Sequence, residues 1–155
     1  MRIGWVMVVA TAAVMGGGAG ATGGVQTISY RTGACFGTCS VYKVTVSSDG
    51  RGVFEGERFT AVTGRRTFRV TPAQWREFRT RLQALHGHGT VELTGAPPCE
   101  AMATDMPTVE VVWSGAWRPH TLRANYGCRV EKQQWMSAHL RRAPEALPIG
   151  RFVGK

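Results

Sequence analysis

Two cysteines separated by three residues are the most chemically informative feature of the chain. Cys35 and Cys39 lie in the segment ACFGTCSVY (residues 34–42), directly before an alternating strand pattern. A redox cysteine of the thioredoxin type lies at a helix N-terminus, whereas this pair leads into a strand, which favours a structural disulfide. Two thiolates at this spacing could also hold a soft metal. The alternative hypothesis is therefore a thiol-redox, copper or zinc site at Cys35 and Cys39.

A second candidate site is centred on Trp117, which falls in a predicted turn and is hard to explain as core. Beside Arg118, an exposed indole could stack on a sugar or on a partner protein. Asp105, in a loop before a strand, and Tyr42, at the end of the cysteine motif, are further candidate binding residues. No nucleophile, base and oxyanion hole can be assembled, so we expect no catalytic residues and no cofactor, and we favour a disulfide-stapled, non-catalytic binding module over an enzyme.

The first 21 residues predict a signal peptide. A short basic start precedes an apolar run over residues 3–15, and Ala19-Gly20-Ala21 has the pattern that signal peptidase cleaves. The run is shorter than the roughly 18 residues that span a bilayer, so an uncleaved anchor is the weaker alternative. We expect a secreted or periplasmic protein without a membrane span, in an oxidising compartment.

The formal net charge is +9, and arginine supplies most of the positive charge. Such a surface attracts anionic partners in general. The arginines are spread along the chain and no basic run is interleaved with aromatic residues, so we expect no nucleic-acid binding. An envelope protein or a polysaccharide is the expected partner. The sequence indicates neither an oligomeric state nor whether the arginines share one patch.

Periodicity predicts strands and two helices. Val41 to Ser47 alternates, Asp49-Gly50 predicts a type I′ hairpin turn, and residues 52–59 return as the partner strand. Thr71, Pro72 and Gln74 predict a capped helix start. The other predicted elements are strands at 25–30, 65–70, 109–113 and 120–126, an irregular loop at 89–107 and a helix at 131–142.

The order strands, helix, strands, helix predicts an α+β fold, with an antiparallel sheet of about five strands and two helices packed on one face. The expected organisation is a single domain over residues 22–144 and a loosely ordered tail over 145–155.

The chain resembles a known family in residues 28–42, in the hairpin at Asp49-Gly50, in the Thr71-Pro72 helix start and in residues 104–108. The family is a domain of unknown function from bacterial secreted proteins and lipoproteins, marked by Cys-Phe-Gly-x-Cys-Pro-x-Tyr. Ser40 stands where the motif has proline. The resemblance implies an envelope location and one α+β domain, and it carries no catalytic residues over to this chain.

The four cysteines allow three disulfide pairings, which the sequence alone does not decide. We favour Cys35 with Cys39 and Cys99 with Cys128. The loop-entropy model gives about 2 kcal/mol for the first bridge and about 3.5 kcal/mol for the second. A zinc site that combines Cys99 and Cys128 with His86 and His88 is conceivable, but its spacing matches no familiar zinc motif.

Overall fold

The computed structural model describes residues 23–154, so the predicted signal peptide lies outside the described residues. The strands are β1 (Gln26–Thr32), β2 (Val41–Ser47), β3 (Arg51–Arg58), β4 (Gly64–Arg69), β5 (Gly89–Leu93), β6 (Ala101–Met102), β7 (Thr108–Gly115), β8 (His120–Asn125) and β9 (Cys128–Arg129). The helices are α1 (Pro72–Gln83), α2 (Gln133–Arg142) and α3 (Gly150–Val153), with a 3-10 helix at Ala143–Ala146.

The main sheet has seven strands in the order β4-β3-β2-β1-β7-β8-β5, and β6 pairs with β9 in a separate two-stranded sheet. The main sheet is mixed, because β5 runs parallel to β8 while the other neighbours are antiparallel. The predicted α+β fold with a five-stranded antiparallel sheet is therefore wrong. The structure is mostly sheet, with a few short helices.

Strand β5 explains most of this difference. It lies in the segment predicted to be an irregular loop, and its residues are exposed apart from the half-buried Leu93. An edge strand without an alternating buried face leaves no period-2 signal in the sequence. Its pairing with β8, from Gly89 opposite His120 to Leu93 opposite Ala124, depends on a partner about thirty residues away.

The predicted hairpin between β2 and β3 is present, but its turn differs from type I′. Gly50 has a φ of 86°, whereas Asp49 is not among the residues with positive φ. The Gly50 N–H donates to the Ser47 carbonyl (2.9 Å), and the Asp49 side chain accepts from the Arg51 N–H (3.2 Å). One left-handed residue is enough here, and glycine adopts that conformation without steric cost.

The N-terminus of α1 forms as predicted. The Thr71 hydroxyl accepts from the Gln74 N–H (3.2 Å), and the Gln74 side chain accepts from the Thr71 N–H (2.9 Å), which completes the capping box. Val70 and Trp75, on either side of the cap, are both buried. The helix ends at Gln83.

One continuous core lies between the sheet and the helices. Alternate strand residues, such as Ile28 and Tyr30 of β1, face α1 and α2, while the intervening residues face away from the core. The fully buried large side chains of this core include Trp113, Tyr30, Phe54, Phe78, Ile28, Leu82 and Leu140.

The C-terminal residues are packed, which differs from the loosely ordered tail that the sequence suggested. Phe152 lies with its ring centroid 5.4 Å from that of Phe54. The N–H of Val62 donates to the Phe152 carbonyl (3.1 Å). The buried residues of this segment are Leu147, Ile149, Phe152 and Val153. Their apolar spacing is too short and irregular to show a helical period.

The expected disulfide pairing is present. Cys35 bonds to Cys39 and Cys99 to Cys128, and the structure has no free cysteine in residues 23–154. Cys99 and Cys128 are buried, and the second bridge joins the long proline-containing loop to β9. The two bridges therefore have different surroundings, since both cysteines of the Cys35–Cys39 bridge are partly exposed.

Candidate functional site

The loop closed by Cys35 and Cys39 is held against the segment before β7. The Phe36 N–H donates to the Asp105 carbonyl (3.3 Å), and the Gly33 N–H donates to the Thr108 carbonyl (2.7 Å). The bridge keeps the two cysteine Cα atoms 5.8 Å apart. The loop is thus fixed by one covalent bond and by backbone hydrogen bonds to a second segment.

This anchored loop exposes an aromatic side chain. Phe36 is 87% exposed, more than any other large apolar residue that the structure describes. On the other side of the motif, the Ser40 hydroxyl donates to the carbonyl of Phe59 (2.7 Å), whose side chain is 52% exposed. One exposed phenylalanine therefore lies within the disulfide loop, and the backbone of a second binds the residue that follows the loop.

A cleft of about 480 Å³ lies beside the loop, and Cys39 and Ser40 form part of its wall. Its remaining lining combines three tyrosines, several apolar side chains and two charged groups: Tyr30, Thr32, Gly33, Tyr42, Pro107, Thr108, Tyr126, Arg141, Pro144, Glu145, Leu147, Ile149, Gly150 and Val153. The cleft is built by β1, β2, the start of β7 and the C-terminal segment, so it depends on the packed tail.

The three cleft tyrosines stay uncharged. Burial raises the pKa of Tyr30 well above its ordinary value, and the nearby phenols of Tyr126 and Tyr42 raise it further. Burial likewise raises the pKa of Tyr42, with a smaller effect from Tyr126. Burial also raises the pKa of Tyr126, which Tyr30 and Arg141 partly offset. Protonated phenols provide O–H donors without negative charge.

Arg141 provides the positive charge of the cleft. Its guanidinium carbon lies 4.0 Å from the centre of the Tyr126 ring, a cation–π contact. Among residues 23–154, no carboxylate lies within ion-pair distance of Arg141, because Glu145 instead contacts Arg81 (3.5 Å). The cleft thus has a guanidinium that is oriented by an aromatic ring and available to an anion.

The structure brings together only part of the predicted site. Tyr42 lines the cleft, and Asp105 supports the disulfide loop through its backbone carbonyl while its carboxylate accepts from the Thr104 hydroxyl (3.3 Å). Asp105 itself adopts a left-handed conformation with a φ of 68°. Its role in the structure is to shape a loop.

Trp117 and Arg118 lie elsewhere, in the loop between β7 and β8. Trp117 is half-buried and packs against the core, with its ring centroid 5.0 Å from that of His86. Its buried indole N–H has no hydrogen-bond partner among residues 23–154, and neither does that of Trp113. Trp117 is therefore not the open stacking platform expected from the sequence, although Arg118 remains exposed.

The histidines do not assemble a metal centre. His120 is 2% exposed, with Nδ1 2.8 Å from the Gly89 carbonyl oxygen, and the ring of His86 packs edge-on at 5.6 Å. No group of three or more histidine, cysteine, aspartate or glutamate residues in the described part of the chain could hold a metal ion. Cys35 and Cys39 are bonded to each other, so neither thiolate is available as a metal ligand in this form.

Sequence reasoning missed Phe36, Tyr126 and Arg141. A signal for Phe36 was present, because a five-residue disulfide loop cannot bury an aromatic ring within itself. Arg141 had no such signal, since it lies among other basic residues at the end of α2. Only the path of the C-terminal segment places it beside the tyrosines.

Comparison with known proteins assigns the chain to a family. A family described as "Domain of unknown function (DUF6438)" matches residues 26–143. The chain belongs to this family. The match spans the DUF6438 domain from β1 to the first residue of the 3-10 helix, and it leaves out α3. No curated protein and no solved structure matches the chain.

The matched DUF6438 region contains Phe36, both disulfides and the tyrosines and Arg141 of the cleft. No helix in residues 23–154 is long and apolar enough to cross a membrane. Both disulfides are compatible with an oxidising extracellular or periplasmic space.

Proposed function

We propose that this DUF6438 domain is an exported, non-catalytic binding module whose cleft receives a segment of a partner protein. The observation that carries the proposal is Phe36, an almost fully exposed aromatic residue in a disulfide loop whose Cys39 lines the tyrosine-containing cleft. The partner segment has apolar side chains and a carboxylate.

The cleft suits such a segment in size and chemistry. Its volume is within the range of about 300 to 1,000 Å³ typical of ligand sites. Pro107, Leu147 and Val153 provide apolar wall, and the tyrosines add polar hydroxyls. Arg141 is suited to a carboxylate, which a guanidinium binds through two parallel hydrogen bonds.

Phe36 suits a protein partner better than a free small molecule. Its side chain is largely exposed and does not line the cleft, so a partner that covers it must extend beyond the cleft. The Cys35–Cys39 bridge restrains the backbone of the loop, so less backbone entropy is lost on binding. Exposed aromatic residues are frequent hot spots of interfaces.

Export is supported by chemistry as well as by the predicted signal peptide. Two intramolecular disulfides are stable in a periplasm or outside the cell and are rare in a reducing cytosol. The proposed location is therefore the bacterial envelope or the medium, with an envelope protein as the partner.

The test is peptide selection with the processed, oxidised protein, using a display library in which each peptide has a free C-terminal carboxylate. Selected peptides are then measured by calorimetry against Phe36→Ala and Arg141→Gln. We expect each variant to weaken binding by about ten-fold or more, since interface hot spots and charged hydrogen bonds contribute at least about 1.4 kcal/mol. Amidation of the peptide's C-terminal carboxylate should weaken its binding to the unaltered protein as much as Arg141→Gln weakens binding of the free acid.

Trp135→Ala is the matched control, because Trp135 is also an exposed aromatic residue, 45% exposed, but lies on α2 and does not line the cleft. It should leave the affinity unchanged. Peptides that bind equally well to Phe36→Ala and Arg141→Gln would refute the cleft as the binding site. A library that yields no binder would refute the peptide-binding function.

A second candidate function is thiol–disulfide exchange with a dithiol partner. Its support is that the Cys35–Cys39 bridge is partly exposed and borders the cleft. A partner thiolate would attack one sulfur and form a mixed disulfide, and the other cysteine would leave as a thiolate. A second partner thiol then resolves the mixed disulfide, so that the partner is oxidised and Cys35 and Cys39 are reduced.

This candidate is tested in cells with Cys35→Ser and Cys39→Ser, each of which leaves one thiol to trap a mixed disulfide. A defined, reductant-sensitive adduct with one envelope protein would support exchange. If both variants remain monomeric with a free thiol and form no adduct, thiol–disulfide exchange is excluded. The peptide-binding proposal is unaffected by that outcome.

A further inference from the structure

The edge strand β4 concentrates positive charge. Within six residues it contains Arg65, Arg66 and Arg69, and all three side chains are exposed. None of them lies within ion-pair distance of a carboxylate among the residues that the structure describes. The strand pair over residues 51–69 contains five arginines and two glutamates. The arginine excess is therefore partly gathered at one edge of the sheet.

The register places two arginines opposite each other at one end of the strand pair. Arg69 lies directly opposite Arg51 of β3, and like charges in that position destabilise a strand pair. Arg51 is partly neutralised by Asp49 at 2.8 Å, whereas none of the described carboxylates lies within ion-pair distance of Arg69. Arg65 lies on the same side of β4, about 13 Å along the strand, opposite Glu55 of β3, with which it forms no ion pair in the described part of the chain. Arg66 alternates to the other face and donates to the Arg65 carbonyl (2.8 Å). We call Arg51, Arg65 and Arg69 the β4 strip.

The backbone of β4 adds a second recognition element. It is the terminal strand of the sheet, so within residues 23–154 no strand pairs with its outer edge. An edge strand presents alternating N–H and C=O groups that need hydrogen-bond partners. Sugar hydroxyls both donate and accept, so an extended saccharide can pair with such an edge.

We propose that the β4 strip binds an acidic polysaccharide. The guanidinium groups bind its carboxylates, and the backbone edge binds its hydroxyls. Arginine suits this role because its planar fork makes paired hydrogen bonds to carboxylates. This site is separate from the cleft, and it extends the proposed function to a second ligand.

The strip is less suited to the other common polyanions. At an anionic membrane each basic residue contributes about 1 kcal/mol, and stable surface binding adds apolar side chains that enter the bilayer interface. No large apolar residue of β4 is exposed, and Phe68 packs with its ring centroid 6.2 Å from that of Phe152. Single-stranded nucleic acid requires aromatic side chains for base stacking, and the β4 strip contains none.

The test measures binding of a de-esterified oligogalacturonide to the processed protein, with the methyl ester of the same oligosaccharide as the uncharged reference. The Arg65→Gln, Arg69→Gln double variant should weaken binding by about ten-fold or more, since two charge-assisted contacts are lost. It should also reduce the slope of log affinity against log salt, because fewer counterions are released when two contacts are lost. The methyl ester should bind weakly to all proteins.

The control is the Arg76→Gln, Arg129→Gln double variant, which loses the same charge from two exposed arginines away from β4. It should change the affinity less than two-fold. Equal losses in the two double variants would show non-specific attraction and overturn the site. Tighter binding to anionic vesicles or to oligothymidylate would also overturn it. Both double variants should keep the peptide affinity of the cleft, so failure here is distinguishable from failure of the proposed function.

Discussion

The hydroxyl of Tyr30 donates a hydrogen bond to the backbone carbonyl of Leu140, 3.0 Å away and 110 residues along the chain. In a continuing α-helix that carbonyl would accept from the N–H of residue 144. Residue 144 is proline, which has no N–H. The tyrosine on β1 thus satisfies a carbonyl at the end of α2 and fixes the helix against the sheet beside the cleft.

Tyr30→Phe should lower the free energy of unfolding by about 1–2 kcal/mol, because it leaves the buried Leu140 carbonyl without its partner. Chemical denaturation measures this directly. Tyr42→Phe is the matched control, since the Tyr42 hydroxyl makes no hydrogen bond to residues 23–154. Tyr42→Phe should lower the free energy of unfolding by under about 0.5 kcal/mol. Equal losses in both variants would contradict the assigned role of the Tyr30 hydroxyl.

Alkaline pH should destabilise the protein through its cleft tyrosines. Burial raises the pKa of Tyr30, Tyr42 and Tyr126 in the folded protein, whereas in the unfolded chain they ionise near pH 10. Their contribution is therefore complete below about pH 10 and is lost as the pH rises toward the folded values. Each tyrosine contributes a slope of about 1.4 kcal/mol per pH unit in that window.

The measurement is the free energy of unfolding between neutral and alkaline pH. In Tyr42→Phe the free energy of unfolding should fall less steeply with pH, by the contribution of one tyrosine, about 1.4 kcal/mol per pH unit. An unchanged slope would show that Tyr42 ionises in the folded protein as readily as in the unfolded chain.

The two disulfides should respond differently to reductant. Cys99 is 4% exposed and Cys128 0%, whereas Cys35 and Cys39 are partly exposed. Mild reductant followed by alkylation and peptide mass mapping should label Cys35 and Cys39 first. On the loop-entropy model, loss of the Cys35–Cys39 bridge should lower the free energy of unfolding by about 2 kcal/mol, and loss of the Cys99–Cys128 bridge by about 3.5 kcal/mol. Equal labelling rates would contradict the difference in accessibility.

Phe152→Ala should cost about 3–5 kcal/mol, the usual result of truncating a buried phenylalanine. Its ring packs against Phe54 and Phe68, so the substitution leaves a cavity at the end of the core. Thermal unfolding monitored by circular dichroism measures the loss. The neighbouring Arg151→Ala should cost under about 1 kcal/mol, because its exposed guanidinium only covers the Phe152 ring. A small loss of stability in Phe152→Ala would instead indicate that the C-terminal segment is loosely held.

The sequence by itself determined the local features of this protein. Alternation over Val41–Ser47 predicted β2, and Thr71 with Gln74 predicted the start of α1, because both signals depend on neighbours within a few residues. The pairing of Cys99 with Cys128 was favoured but not decided, since three pairings fit the same spacing.

Only the tertiary structure decided which distant residues share a site. The parallel pairing of β5 with β8, the burial of Phe152 and the position of Arg141 over Tyr126 all depend on contacts between segments far apart in the chain. Trp117 shows the same limit, because a predicted turn indicates an exposed backbone but not whether a large side chain folds back onto the core. Local periodicity encodes which face of an element is apolar, and the packing of those faces determines the cleft.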